Sequence, residues 1–199
     1  MKFFIVGRQC SNKSAVTELC ADMGMRAGHE FTNLPHAEEK MYIDPQYELL
    51  TQSDIKTMFE CSGYLCISGI SQFGILDSFA YHRGISFYEY DNSDVLALAP
   101  SQACKLNSNI INDEIVWIWM DNTYPNRLRV HTEEHRKYNF SDVEVDEEQY
   151  LTDFAKYIYN FKNSSVLYFL NEVPERVATI IYSIYKHPDL LPLYTKNFN

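Results

Sequence analysis

The sequence predicts an α/β protein: one domain of three layers, with helices on both faces of a mainly parallel central sheet. Three observations carry that expectation. At the start of the chain a β-prone apolar run, residues 2–6, passes through a polar loop into a helical pattern. Farther on, residues 114–120 (EIVWIWM) and 165–170 (SVLYFL) are continuous apolar runs, the pattern of strands covered on both faces. Strand-like and helix-like segments alternate around them, and a length of 199 residues suits one sizeable core.

In chain order, residues 2–6 form the first strand and residues 7–13 a polar loop. A helix follows over residues 14–23, with Val16, Leu19, Cys20 and Met23 on one side and Gly24 ending it. Residues 64–67 (YLCI), 85–90 (ISFYEY) and 94–99 (DVLALA) read as further strands. After the run at 114–120 comes a long polar and helical stretch. Its segment EEQYLTDFAKYIYNF sets Tyr150, Leu151, Phe154, Tyr157, Ile158 and Phe161 at helical intervals, and Val173, Val177, Ile180, Ile181 and Ile184 repeat the pattern near the end. Both are core-facing helices by this reading. No repeat, low-complexity tract or linker interrupts the order.

A formal net charge of -10 argues against a broad electrostatic grip on nucleic acid or an anionic membrane. Small anions remain accessible to a local basic pocket. No apolar run reaches the length of a membrane span and the N-terminus lacks a tripartite signal, so a cytoplasmic protein, monomer or homodimer, is expected. Cys10, Cys20, Cys61, Cys66 and Cys104 are odd in number and show no C-x-x-C spacing; reduced, mostly buried thiols are expected. Among the histidines only His131 and His135 stand at i, i+4, without acidic metal-ligating neighbours, and read as part of a solvated helix face.

The loop holds the one specific signal. Its string is Gly7, Arg8, Gln9, Cys10, Ser11, Asn12, Lys13, Ser14. In the phosphate-binding pattern G-x-x-x-x-G-K-[ST], glycines let the backbone wrap a phosphate, the lysine neutralises phosphate oxygens and the hydroxyl holds magnesium. First glycine, lysine and serine are in register. Asn12 replaces the second glycine, and asparagine tolerates the positive φ needed there at a cost of about 1 kcal/mol. The plainer alternative is an ordinary strand-to-helix turn with Lys13 and Ser14 in solvent.

The later segments, in their order, resemble the guanylate kinase family of P-loop nucleoside monophosphate kinases over roughly residues 1–185. EFTNLPHAEEK is similar to the family's acceptor-phosphate turn, YELLTQSDIKTMF to its Y-x-F-x-x-x-x-F pattern, and GYLCISGISQFGI to the segment ending in YGT. DVLALAPSQACKL resembles the strand and turn written VLxxDxxGAxxL. EIVWIWMDNTYPNRLRVHTEEHR looks like the next strand and the arginine-bearing lid helix, and SVLYFLNE like the last strand, whose end borders the adenine.

The resemblance implies a core of residues 1–30 and 85–199, an acceptor-binding lobe at about 31–84 and a lid at about 122–150. It implies ATP as donor, Mg2+ as its metal with Ser14 as ligand, and a nucleoside monophosphate as acceptor. Gly7 to Ser14 and Asn171 would hold the donor; Thr32, His36, Tyr47, Phe73 and Glu89 would meet the acceptor; Lys13, Arg127, Arg129 and Arg136 would serve the transferring phosphoryl group. The same arginines fit equally a solvated helix paired with Glu133 and Glu134. By the same family layout Asp44, Glu48, Asp54 and Glu60 would hydrogen-bond a base edge or, as most such acids do, stand in solvent, and Glu89 and Asp91 would face the cleft and partly compensate for a missing strand-end aspartate.

Three departures qualify the likeness: Asn12 in the loop, Asn33 where the turn has arginine, and Ala99 where a strand-end aspartate organises magnesium. Loss of that arginine removes a bidentate hold on the acceptor phosphate, which points to an acceptor other than plain GMP, such as a deoxy or modified nucleotide. Two functions follow: a kinase acting on such a nucleotide, or a catalytically inactive module that binds a nucleotide or a protein. A general α/β protein with an accidental Lys-Ser turn leaves the segment order without a reason.

Overall fold

The computed structural model describes residues 1–28, 31–32, 64–70, 81–98, 100–103, 113–133, 152, 155 and 164–195. The apolar run at the start is β1 (Lys2–Val6), and α1 (Lys13–Asp22) follows its loop. Then come β2 (Ala27–Gly28), β3 (Phe31–Thr32), β4 (Tyr64–Ile70), β5 (Tyr81–Ser86), α2 (Phe87–Asn92), β6 (Val95–Leu98) and the short α3 (Pro100–Ala103). β7 (Ile115–Asp121), α4 (Tyr124–Glu133), β8 (Ser164–Leu170) and α5 (Pro174–Lys186) complete the core, and a 3-10 turn (Pro188–Leu190) leads into α6 (Leu191–Tyr194).

The central sheet runs β2-β6-β1-β7-β8 with all four pairings parallel. Alternation sends Phe3 and Ile5 to one face, where they join Val16 and Cys20 of α1 and Val177, Ala178, Ile181 and Ile184 of α5 in one buried cluster. Phe4 points to the other face. There it meets the rings of Trp117 and Tyr90 edge-on, at centroid distances of 5.0 and 6.1 Å. The centre of the sheet, β1 and β7, is therefore covered on both sides, whereas β8 at its edge is only half-buried apart from Leu167, and Leu170 is exposed, contrary to the two-sided burial expected of that run.

A second sheet, β3-β5-β4, is antiparallel and falls within residues 31–86. The strand expected at 64–67 belongs to it and extends to Ile70, rather than entering the parallel sheet.

Two expectations are corrected. Residues 85–90 are not one strand: β5 ends at Ser86, and Phe87 to Asn92 turn into α2. The aromatic residues suit a strand by propensity, but tertiary contacts select the helix. Tyr90 packs on Phe4, while Lys2 Nζ donates to the carbonyls of Tyr90 and Ser93 (2.7 Å for the latter), capping the helix end. Lys2 lies 4.5 Å from the centroid of the Tyr90 ring, and burial lowers its pKa. Val173, assigned above to the core, is instead the extended N-cap residue of α5 and is exposed; the helix begins at Pro174, and its buried face starts with Val177. The helical segment around 147–161 lies outside the described residues except at isolated positions.

At the amino edge of the sheet, Asp94 accepts from the Arg26 backbone N–H, Nε and Nη2 at 2.9, 3.1 and 2.8 Å. Those hydrogen bonds hold its carboxyl below the usual range against the opposing effect of burial. No described helix is long and apolar enough to cross a membrane.

Candidate functional site

In this strand order the connections after β1 and β7, which are neighbours, leave in opposite directions: β1 leads toward β2, β7 toward β8. Open parallel sheets form a ligand crevice at such a switch, beyond the carboxyl ends of the strands. Residues 7–12 lie there.

β7 also outruns β1. Val6 pairs with Trp119, so Met120 and Asp121 continue past the point where the loop leaves the sheet. The loop is held against this overhang. A Cβ at Gly7 would stand 2.0 Å from the Met120 carbonyl oxygen, so only glycine permits the approach. Arg8 donates Nε and Nη2 to Asp121 Oδ1 at 3.1 and 2.8 Å. Asn122, buried, donates Nδ2 to the Cys10 carbonyl at 3.5 Å. Cys10 and Asn12 take φ of 59° and 64°, the left-handed conformation for which asparagine is suited. Lys13 Nζ folds back over the loop and donates to the carbonyls of Gly7 and Arg8 at 2.7 and 2.9 Å.

The electrostatics favour an anion. Asn12 makes no side-chain cap bond to α1, and the first turn carries no acid. The start of α1, with the positive end of its dipole, thus carries neither an Asn12 side-chain cap nor an acid in its first turn, beside the Lys13 ammonium. The buried Ser11 hydroxyl lies in the loop with no hydrogen-bond partner among the described residues. Ser14 is exposed on the first turn of α1. Nearby, burial and the Asp121 charge push the Tyr168 phenol up, with Arg8 opposing.

Gly7 to Ser14 therefore come together at the crevice. Asn171 takes a φ of 53° at the end of β8 and accepts from Thr123 N–H and Asn126 Nδ2 at 2.8 and 2.9 Å, joining the β8 end to the start of α4. Thr32 lies on β3, paired with Arg83. His36, Tyr47, Phe73, Ala99, Arg136, His135, Asn33 and the acids at 44, 48, 54 and 60 lie outside the described residues.

The α4 residues are redistributed. Arg127 is fully buried and donates Nε to the Asn122 carbonyl at 3.0 Å, instead of projecting from a lid. His131 is also buried, contrary to the solvated face expected for it. The two stand at i, i+4 on one face, so the inward side of this helix is polar and hydropathy alone does not mark it. Arg129 is exposed and pairs with Glu133 at 2.9 Å, the helix-surface alternative.

Asp91 does not reach the crevice. It lies in the last turn of α2, its backbone carbonyl 3.5 Å from Lys2 Nζ, at the amino edge of the sheet. The whole of β1, about 16 Å at ~3.3 Å per residue, separates that edge from Gly7.

Sequence reasoning missed Asp121 and Asn122 as partners of the loop. The usable signal was an acid and an amide closing the strongest apolar run, opposite an arginine at the second loop position.

Sheet order and loop together define an α/β fold with a P-loop-like turn at its switch point. No family model and no protein of assigned function matches the chain by sequence. By structure the chain is similar to guanylate kinase from Anaplasma phagocytophilum, with a TM-score of 0.54 and 11% identity over 99% of this chain and 90% of that one. The fold is guanylate kinase-like. Among the described residues no group of three or more His, Cys, Asp or Glu side chains is placed to hold a metal.

Proposed function

We propose that the chain is a nucleoside monophosphate kinase-like protein, a divergent relative of the guanylate kinases, that transfers the γ-phosphoryl group of ATP to a (deoxy)nucleoside monophosphate, modified ones included. The observation that carries this reading is Lys13 folded over a loop with two left-handed residues at the start of α1, at the sheet's switch point.

Loop amides from Gly7 to Ser14 would hold the donor phosphates, Lys13 would neutralise their charge, and Asn171 would border the donor base. Ser14 would offer one oxygen to a magnesium ion arriving with the nucleotide. That ion supplies further neutralisation of phosphate oxygens and needs few protein ligands. The antiparallel sheet with Thr32, together with His36, Tyr47 and Phe73, would form the acceptor lobe. Arg136 and Arg129 remain candidates for the transferring group, the latter after leaving Glu133. An exposed pair of that kind holds by at most about 1 kcal/mol.

A second reading has specific support: the chain binds a nucleotide without chemistry. Burial of Arg127 on the Asn122 carbonyl takes one of the three lid arginines away from a transferring phosphoryl group.

Melting the protein with and without Mg-ATP tests the donor site, since a ligand of the folded form alone raises the midpoint. A coupled ADP-release assay over ribo-, deoxy- and modified monophosphates tests the chemistry. ATP binding with no release from any acceptor selects the inactive module. No shift with any nucleoside triphosphate overturns both readings.

A further inference from the structure

We infer that Asp121 and Asn122 are positioning residues of the phosphate loop, with the overhanging end of β7 as the template that gives the loop its shape and Arg8 as the strap. The inference rests on residues 7–14 being a nucleotide site and deepens that reading.

Three consecutive residues of β7 and its end engage three of the first four loop residues. Met120 abuts Gly7, Asp121 receives Arg8, and Asn122 reaches the Cys10 carbonyl. The Lys13 ammonium is in turn placed by the carbonyls of Gly7 and Arg8, two residues tied to β7. A line of contacts thus runs from strand end to loop to ammonium.

The template is itself fixed. Asp121 pairs with Leu170 in the sheet, and its carbonyl accepts the Asn171 N–H at 2.9 Å. The Asn122 carbonyl is held by the buried Arg127, which gives that side chain a role at the loop without contact to a phosphate. Arg8 and Asp121 are only 17% and 19% exposed, and both guanidinium nitrogens converge on one carboxylate oxygen. A pair so shielded is weakly screened and geometrically restrictive. Arg8 therefore acts through loop geometry. Support from outside suits a loop whose second glycine is Asn12.

The test compares wild type, Asp121→Ala, Arg8→Met and the charge-swapped double variant Arg8→Asp with Asp121→Arg. Two quantities are read: amide hydrogen exchange in the ligand-free protein, and the Mg-ATP dissociation constant by calorimetry. Asp121→Ala is expected to speed exchange of amides 8–13 at least tenfold, leave those of β1 and α5 within twofold, and weaken Mg-ATP at least tenfold. The double variant is expected to recover most of both. Arg8→Met changes only a loop side chain and reads the same tie if Asp121→Ala fails to fold.

Loop exchange and affinity within twofold of wild type in the single variants would overturn the inference. If wild type binds no nucleotide while loop exchange responds as described, the positioning role stands and the proposed function fails.

Discussion

At single residues, the loop makes sharp demands. Lys13→Ala is expected to weaken Mg-ATP about 30- to 100-fold, ~2–3 kcal/mol, because it removes a charged donor already aimed at the loop hollow; titration calorimetry reads this directly. Asn12 sits at a φ of 64°, so Asn12→Ala should cost about 1 kcal/mol of stability while Asn12→Gly stays within ~0.5 kcal/mol, checked by urea midpoints. Asp94 sets an acid limb. Its Arg26 hydrogen bonds lower the folded pKa below the unfolded value near 3.9, so the unfolded chain binds the proton more readily. Its contribution is complete above that unfolded value and is lost as pH falls through the folded one. Melts stepped from neutrality to about pH 2 should show a shallower acid limb for Asp94→Asn than for wild type.

At the level of elements, burial decides what the sequence discloses. β1 and β7 were legible as continuous apolar runs because both sheet faces are covered there, β8 reads the same way although only Leu167 of this edge strand is buried, and α5 was legible because Val177, Ile181 and Ile184 recur on one side. Ile181 lies at 0% exposure in the buried cluster that joins α1, α5 and the sheet, so Ile181→Ala should cost ~2–5 kcal/mol and lower the melting midpoint by roughly 2–4 °C for each of them. Elements decided by distant partners were not legible. The aromatic run at 85–90 reads as strand until Lys2, from the other end of the domain, caps its final carbonyls. α4 hides its orientation because its inward residues are Arg127 and His131, so an apolar stripe is missing where the period would be sought. The candidate site divides in the same way. Its string could be read locally, whereas the Arg8–Asp121 tie spans 113 positions and leaves no local pattern.

Over the whole molecule, a parallel sheet with β1 at its centre joins early and late parts of the chain: β1 lies between β6 and β7, and the loop at its end faces the crevice. Nucleotide binding at that crevice should therefore stabilise the domain globally. Saturating Mg-ATP at about 100 times its dissociation constant is expected to add ~2.7 kcal/mol, read as a raised thermal midpoint in wild type, and the same concentration should add less than about 1 kcal/mol in Lys13→Ala. The parallel topology also has a temporal side. On a ribosome adding roughly 5–20 residues per second, Arg8 emerges about 6–23 seconds before Asp121. During that interval the nascent amino terminus carries the phosphate-loop string without the strand that shapes it, so ribosome-bound chains halted before residue 115 should leave ATP uncaptured.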